Sequence, residues 1–192
     1  MIDVQNEYVT GRLPISHPNL DVSLPNIGQA MDAAQAHDVP IVVTQDTGAA
    51  DDPIFAEGSD NWRLHEVVAR RPRHHLVRKP LPGAFTGTDL DLWLRQHSID
   101  TVSLAGYMSH HCIDTTARQA LHAGFAVEIL ADATGTLALD NDGGTVSARQ
   151  LHEVTLAVMH SRFAAVTTTN QWVAALASTT PLPHGNLLES VT

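Results

Sequence analysis

With one cysteine in 192 residues, Cys112 has no partner for a disulfide within the chain. That fits a reducing cytoplasm, which is the expected compartment. No apolar run approaches the roughly 20 residues that span a bilayer, so neither a membrane partner nor a secretory leader is expected. Basic residues are scarce, with 11 Lys and Arg against 21 Asp and Glu for a net charge of -10. Binding to a phosphate backbone draws on clustered cations, so nucleic acid is excluded as a partner. Internal repeats, linkers and low-complexity tracts are also lacking. What is present, 43% hydrophobic and 17% charged, suits a globular fold, read as a single domain over residues 1–192. The twelve His are plentiful, but no Cys-x-x-Cys or His-Glu-x-x-His spacing accompanies them, so no metal and no other cofactor is expected.

Helical and strand patterns alternate along the chain. Residues 26–38 carry Ile27, Ala30, Met31 and Ala34 at helical spacing, and residues 40–44 read as a buried strand. Residues 45–62 have loop chemistry, and residues 75–79 form a short strand stopped by Pro80. Thr88 and Asp91 have capping-box spacing ahead of a helix through Leu90, Trp93 and Leu94, which leads to a strand at residues 101–105. A helix is expected from Cys112 to Gly124, then a strand at residues 125–130, a helix through Leu151, Val154 and Val158, a strand at residues 164–167 and a last helix over residues 171–177. His152 and His160 are placed on the polar side of the helix through Leu151, Val154 and Val158. This order specifies an α/β three-layer sandwich, Rossmann-like in plan, with a mainly parallel sheet and right-handed crossovers. The first strand, residues 1–4, is too short for the central strand such a plan needs.

In sheets of this kind, ligands bind outside the carboxyl ends of the strands. Asp3 follows the first strand, Lys79 ends the strand at residues 75–79, and Cys112 lies just past the strand at residues 101–105, so three distant residues converge on one crevice. A helix N-terminus and a nearby ammonium both favour a thiolate, which would make Cys112 a nucleophile. Asp3 would take the thiol proton and return it to a leaving amine, while Lys79 keeps Asp3 ionised. Backbone amides in the turn from Gly106 to Ser109, and at Cys112, would hold an oxyanion. Taken singly, each residue has an ordinary explanation: a buried small hydrophobe, a turn residue and a surface lysine. Their combination is what points to acyl transfer to water.

Three stretches carry a resemblance: Ile2-Asp3-Val4-Gln5-Asn6-Glu7-Tyr8, Lys79-Pro80-Leu81-Pro82-Gly83-Ala84-Phe85, and Gly106 through Cys112-Ile113-Asp114-Thr115-Thr116-Ala117-Arg118. In these the chain resembles the isochorismatase-like cysteine hydrolases. The resemblance implies a six-stranded parallel sheet, an Asp-Lys-Cys triad at Asp3, Lys79 and Cys112, and usually a homo-oligomer. It also implies a cis peptide between Tyr107 and Met108 that aims the Met108 amide into an oxyanion hole shared with Cys112. Nicotinamidases of this group carry an Asp-x-His metal motif, and Asp46-Thr47-Gly48 has Gly where that His would be, which disfavours that activity. A cysteine nucleophile favours an amide, ureido or lactam bond over the vinyl ether of isochorismate.

The expected activity is therefore metal-independent hydrolysis of a C-N bond in a small molecule, through a thioester on Cys112. The alternatives are a lactam hydrolase of the streptothricin type and a member of the fold that binds a small molecule without turning it over. Phe85, Tyr107, Trp62 and His111 are the candidate substrate-binding residues, with Phe55 beside them, because their segments should surround the strand ends.

Overall fold

Residues 1–3 lie in the middle of the sheet. The computed structural model describes residues 1–178 and 180–191. Its elements run α1 (Leu20–Ala36), β1 (Val42–Asp46), α2 (Glu66–Ala69), β2 (His75–Lys79), α3 (Leu90–Gln96), β3 (Thr101–Tyr107), α4 (Asp114–His122), β4 (Ala126–Gly135), β5 (Leu139–Asn141), β6 (Gly144–Val146), α5 (Ala148–Val158), β7 (Ala165–Thr167) and α6 (Thr169–Ser178). Strands β1 and β2 pair in parallel, as do β3, β4 and β7 in that order. The first residues join the two groups. Thr44 N–H donates to Met1 O at 2.8 Å and Asp3 N–H to Thr44 O at 3.3 Å on one side. On the other, Ile2 N–H donates to Ala105 O at 2.7 Å and Tyr107 N–H to Ile2 O at 2.9 Å.

The spatial order is thus β2, β1, residues 1–3, β3, β4, β7. The expected six positions are reached only by counting that three-residue segment, and the regular parallel strands number five among the described residues. Close approach at this seam depends on Gly106, whose φ of +120° suits glycine, and a Cβ there would run into the Ile2 carbonyl.

Both faces of the sheet are covered. Ile27, Ala30, Met31 and Ala34 of α1 and Trp172 of α6 pack over Val43, Ala105 and Leu130. Leu90 and Leu94 of α3, with Ile113, Ala117 and Ala120 at α4, cover Val77, Leu104, Val127 and Ile129 on the other face. The Val, Leu, Ile and Met side chains among these, fully buried, contribute roughly 1.5–3 kcal/mol each. Among the described residues no helix is long and apolar enough to cross a membrane.

The structure corrects several sequence expectations. α1 starts at Leu20 rather than residue 26 and runs through Pro25, which is exposed. β1 is shifted two residues along, to end at Asp46. α5 turns Val154 and Val158 to solvent, at 61% and 42% exposure, and buries His152 instead, because His152 has a polar partner inside, Ser109. His160 lies past that helix, in the wide turn Met159–Phe163, where its Nδ1 accepts from Val166 N–H. Cys112 falls in another wide turn, Ser109–Ile113, so α4 begins after it, at Asp114. The β5–β6 hairpin was legible as Asn141-Asp142-Gly143-Gly144, a hairpin-turn signal that the sequence reading passed over.

Candidate active site

Parallel register does much of the assembly. Asp46 is paired with Lys79 across β1 and β2, which brings both side chains to the carboxyl end of the sheet. Asp3 is held nearby in a left-handed conformation, φ 48°, a region that Asp tolerates better than most residues. The wide turn after β3 delivers Cys112. It is tied down at the Met108 carbonyl, which accepts from His111 N–H at 3.1 Å and Ile113 N–H at 3.2 Å. The Tyr107–Met108 peptide is cis.

Lys79 is the hub. Its Nζ lies 2.8 Å from Asp3 Oδ2, 3.0 Å from Asp46 Oδ2, 3.0 Å from Leu81 O and 3.5 Å from Cys112 Sγ. Asp3 Oδ1 accepts a hydrogen bond from Thr44 Oγ1 at 2.6 Å. Asp3 and Lys79 are fully buried and Cys112 is 1% exposed. Asp46 is the opening, with 19% of its side chain exposed. Gln5, also fully buried, fixes Asp46 by a reciprocal pair of 2.9 Å hydrogen bonds: its Nε2 donates to Asp46 O and its Oε1 accepts from Asp46 N–H.

The electrostatics differ from the sequence expectation for the thiol. Burial, reinforced by Asp3 and Asp46, pushes the Cys112 thiol well above the ordinary cysteine range, against the opposing pull of Lys79. Burial and the two carboxylates thus favour the neutral thiol at rest, with burial the largest cause. Burial works against the Lys79 charge, but Asp3, Cys112 and Asp46 together overcome it and hold the ammonium above the usual lysine range. Burial also raises the Asp46 carboxyl above the ordinary aspartate range; Lys79 counteracts this and Asp3 adds to it.

Asp3, Asp46 and Cys112 place a donor atom each within 4.8 Å of one another, a spacing that suits a metal ion. The Lys79 ammonium sits among them, however, and already supplies the cation. At Gly48, a Cβ would displace the Asp52 carboxylate from its place, where it accepts from Ala49 N–H at 2.6 Å.

The other candidates are distributed unevenly. His111 is exposed beside the thiol, its Nδ1 3.7 Å from Sγ. Trp62 lies on the Asp46 side: its carbonyl accepts from both Gln5 and Gln45, and its Nε1 donates to Thr47 Oγ1 at 3.0 Å. Tyr107 is not in a pocket wall. Strand alternation turns it into the core, where its hydroxyl meets Ser23 Oγ at 2.7 Å and its ring backs Tyr8 at 5.6 Å. Phe85 packs on Phe125 at 5.9 Å and lines an apolar cavity of about 130 Å³ that includes Met1, Val42 and Thr101, at the amino ends of the strands, and no triad residue. It is thus directed away from the thiol.

Sequence reasoning missed three residues. Asp46 was taken for a loop residue because β1 was read two positions short. Thr44 lay inside an apolar strand run. Tyr8 stood within the quoted Asp3-to-Tyr8 stretch; its phenol is raised well above the ordinary tyrosine range by burial and by the nearby Cys112, Asp3 and Asp46, and its ring packs 5.3 Å from Phe55.

A family description, the isochorismatase domain, matches residues 1–171. A crystal structure from Burkholderia xenovorans LB400, described as an isochorismatase, superposes with a TM-score of 0.98 at 51% identity, over 99% of this chain and 91% of that one. The secreted isochorismatase effector Isc1 of Verticillium dahliae is 35% identical over 82% of this chain and 80% of its own. Ureidoacrylate amidohydrolase RutB of Methylobacterium radiotolerans is 24% identical over 96% of this chain and 81% of its own.

Proposed function

The chain belongs to the isochorismatase family of hydrolases, and on that premise we propose that it cleaves a C-N bond of a small molecule through a thioester on Cys112. The observation that carries this reading is the position of Lys79 Nζ, 2.8 Å from Asp3 and 3.5 Å from Cys112 Sγ. A proton passing from the thiol to Asp3 moves one negative charge from oxygen to sulfur. The ammonium is in contact with both ends of that move, so it stabilises the thiolate as it stops stabilising the carboxylate.

In the first half-reaction the thiol proton goes to Asp3 and Sγ bonds to the substrate carbonyl carbon. The carbonyl electron pair moves onto oxygen, facing the amides of Met108 and Cys112. As the C=O reforms, the C-N bond breaks and the amine leaves with the proton held by Asp3. Water then hydrolyses the thioester to a carboxylic acid and the free thiol. His111 and Trp62 flank the approach to the thiol. The kinship with an amidohydrolase that acts on ureidoacrylate supports an amide or ureido substrate.

The test is ammonia or amine release from a panel of primary amides, ureides and lactams, with the Cys112→Ala variant alongside. Release by the wild type and none by the variant supports the reading. Equal release by both would overturn it.

A further inference from the structure

We propose that Asp46 is a second catalytic carboxylate, the base that activates water to hydrolyse the thioester, while Asp3 serves the first half-reaction, taking the thiol proton and passing it to the leaving amine. This rests on the thioester reading above and divides its two half-reactions between two aspartates.

Access and geometry separate the two. Asp3 is sealed, one oxygen on Thr44 and the other on Lys79. An incoming water has no exposed path to it. Asp46 has 19% of its side chain exposed, uses Oδ2 for Lys79, and has no partner for Oδ1 among the described residues. A general base must come within hydrogen-bond reach of the water it deprotonates, and the water must reach a carbon bonded to Sγ. Asp46 Oδ2 is 4.0 Å from Sγ, and of the two carboxylates it is the one with exposed surface. Its position is built rather than incidental. Gln5, buried and committed to the Asp46 backbone, fixes it from one side, and Thr47 N–H, bonded to Lys79 O at 2.9 Å, fixes it from the other.

The charged and titratable groups facing Asp46 are Lys79, Asp3, Cys112, His111 and Tyr8. Their net effect, with burial, is to raise its carboxyl, which makes it a stronger base once ionised. A water proton goes to Asp46, and the water oxygen bonds to the thioester carbon. The C-S bond then breaks with its electron pair on sulfur, and Asp46 returns the proton to Sγ. The products are the carboxylic acid and the neutral thiol.

p-Nitrophenyl acetate is the probe, because its acyl transfer to Cys112 needs no protonated leaving group. The wild type should release one equivalent of nitrophenolate per chain quickly and then turn over. In Asp46→Asn the first equivalent should persist while steady turnover falls about a hundredfold or more, with acetylated Cys112 accumulating in the intact mass. Asp46→Ala should behave likewise and regain turnover on addition of sodium formate, which replaces the lost base and shows that the variant is folded. Turnover of Asp46→Asn at the wild-type rate, or acylation and deacylation falling together, would overturn the assignment to Asp46 while leaving the thioester reading intact. An unacetylated Cys112 in the wild type would bring down both.

Discussion

Asp46 and Lys79 stand opposite one another in the register of β1 and β2, and their side chains meet at 3.0 Å beside a buried thiol. A lysine shared by two aspartates is a structural commitment as well as a chemical one.

Replacing Lys79 by Met removes the cation that lies within 3.0 Å of both carboxylates. Breaking a buried ion pair in this way costs about 3–5 kcal/mol, and Asp3, with no exposure at all, bears most of it. Urea unfolding of the variant at pH 7.5 should show that loss. The loss should shrink as pH falls, because the Asp46 carboxyl, raised by burial, takes up a proton and no longer needs the cation.

His152 provides a pH dependence away from the triad. Burial, with help from His17 at 5.4 Å, lowers it from 6.5 to about 4, and Ser109 Oγ lies 2.8 Å from its Nδ1. A histidine with a depressed folded pKa contributes stability that is present above 6.5 and lost as pH falls toward 4. The full effect is on the order of 3 kcal/mol. Unfolding midpoints measured from pH 7.5 down to 4.5 should fall more steeply in the wild type than in His152→Gln.

The raised thiol predicts slow alkylation, because an alkylating agent, unlike an acyl donor, develops no oxyanion for the Met108 and Cys112 amides to stabilise. Native Cys112 should react with iodoacetamide more slowly at pH 7.5 than the unfolded chain does, and its rate should still be climbing above pH 9. Asp3→Asn should react faster at any fixed pH, having lost a negative charge next to sulfur. Mass spectrometry over time reads all three.

Gly106→Ala tests the seam at residues 1–3. The added methyl group would meet the Ile2 carbonyl at a backbone position suited to glycine, so the first residues cannot dock and Asp3 loses its place. The variant should lose more than about 4 kcal/mol of stability, or fail to fold, as judged by circular dichroism and thermal melting.

Alternation of helix and strand made the layers legible, since an apolar run such as Ile129-Leu130 can be buried on both faces only inside a covered sheet. The convergence of Asp3, Lys79 and Cys112 was legible for the same reason, because strand ends in a parallel sheet gather on one side. What stayed hidden depends on contacts between segments. The two-residue shift of β1 follows from its pairing with β2, which periodicity does not encode, and Asp46 was hidden with it. Burial of His152 needed a polar partner on another element, and the inward turn of Tyr107 needed Ser23 of α1. The raised thiol stayed hidden because its main cause, the burial of Cys112, comes from contacts between segments.

The central claim is covalent, so its most direct test is the mass of the protein during turnover. Once a turned-over amide or ureide is in hand, acid-quenched samples taken within milliseconds to seconds should contain a fraction of chain heavier by the acyl group, with the adduct mapping to Cys112. It should be absent from Cys112→Ala, which should also be inactive. Turnover in the variant, or an acyl adduct found on another residue, would contradict a thioester on Cys112.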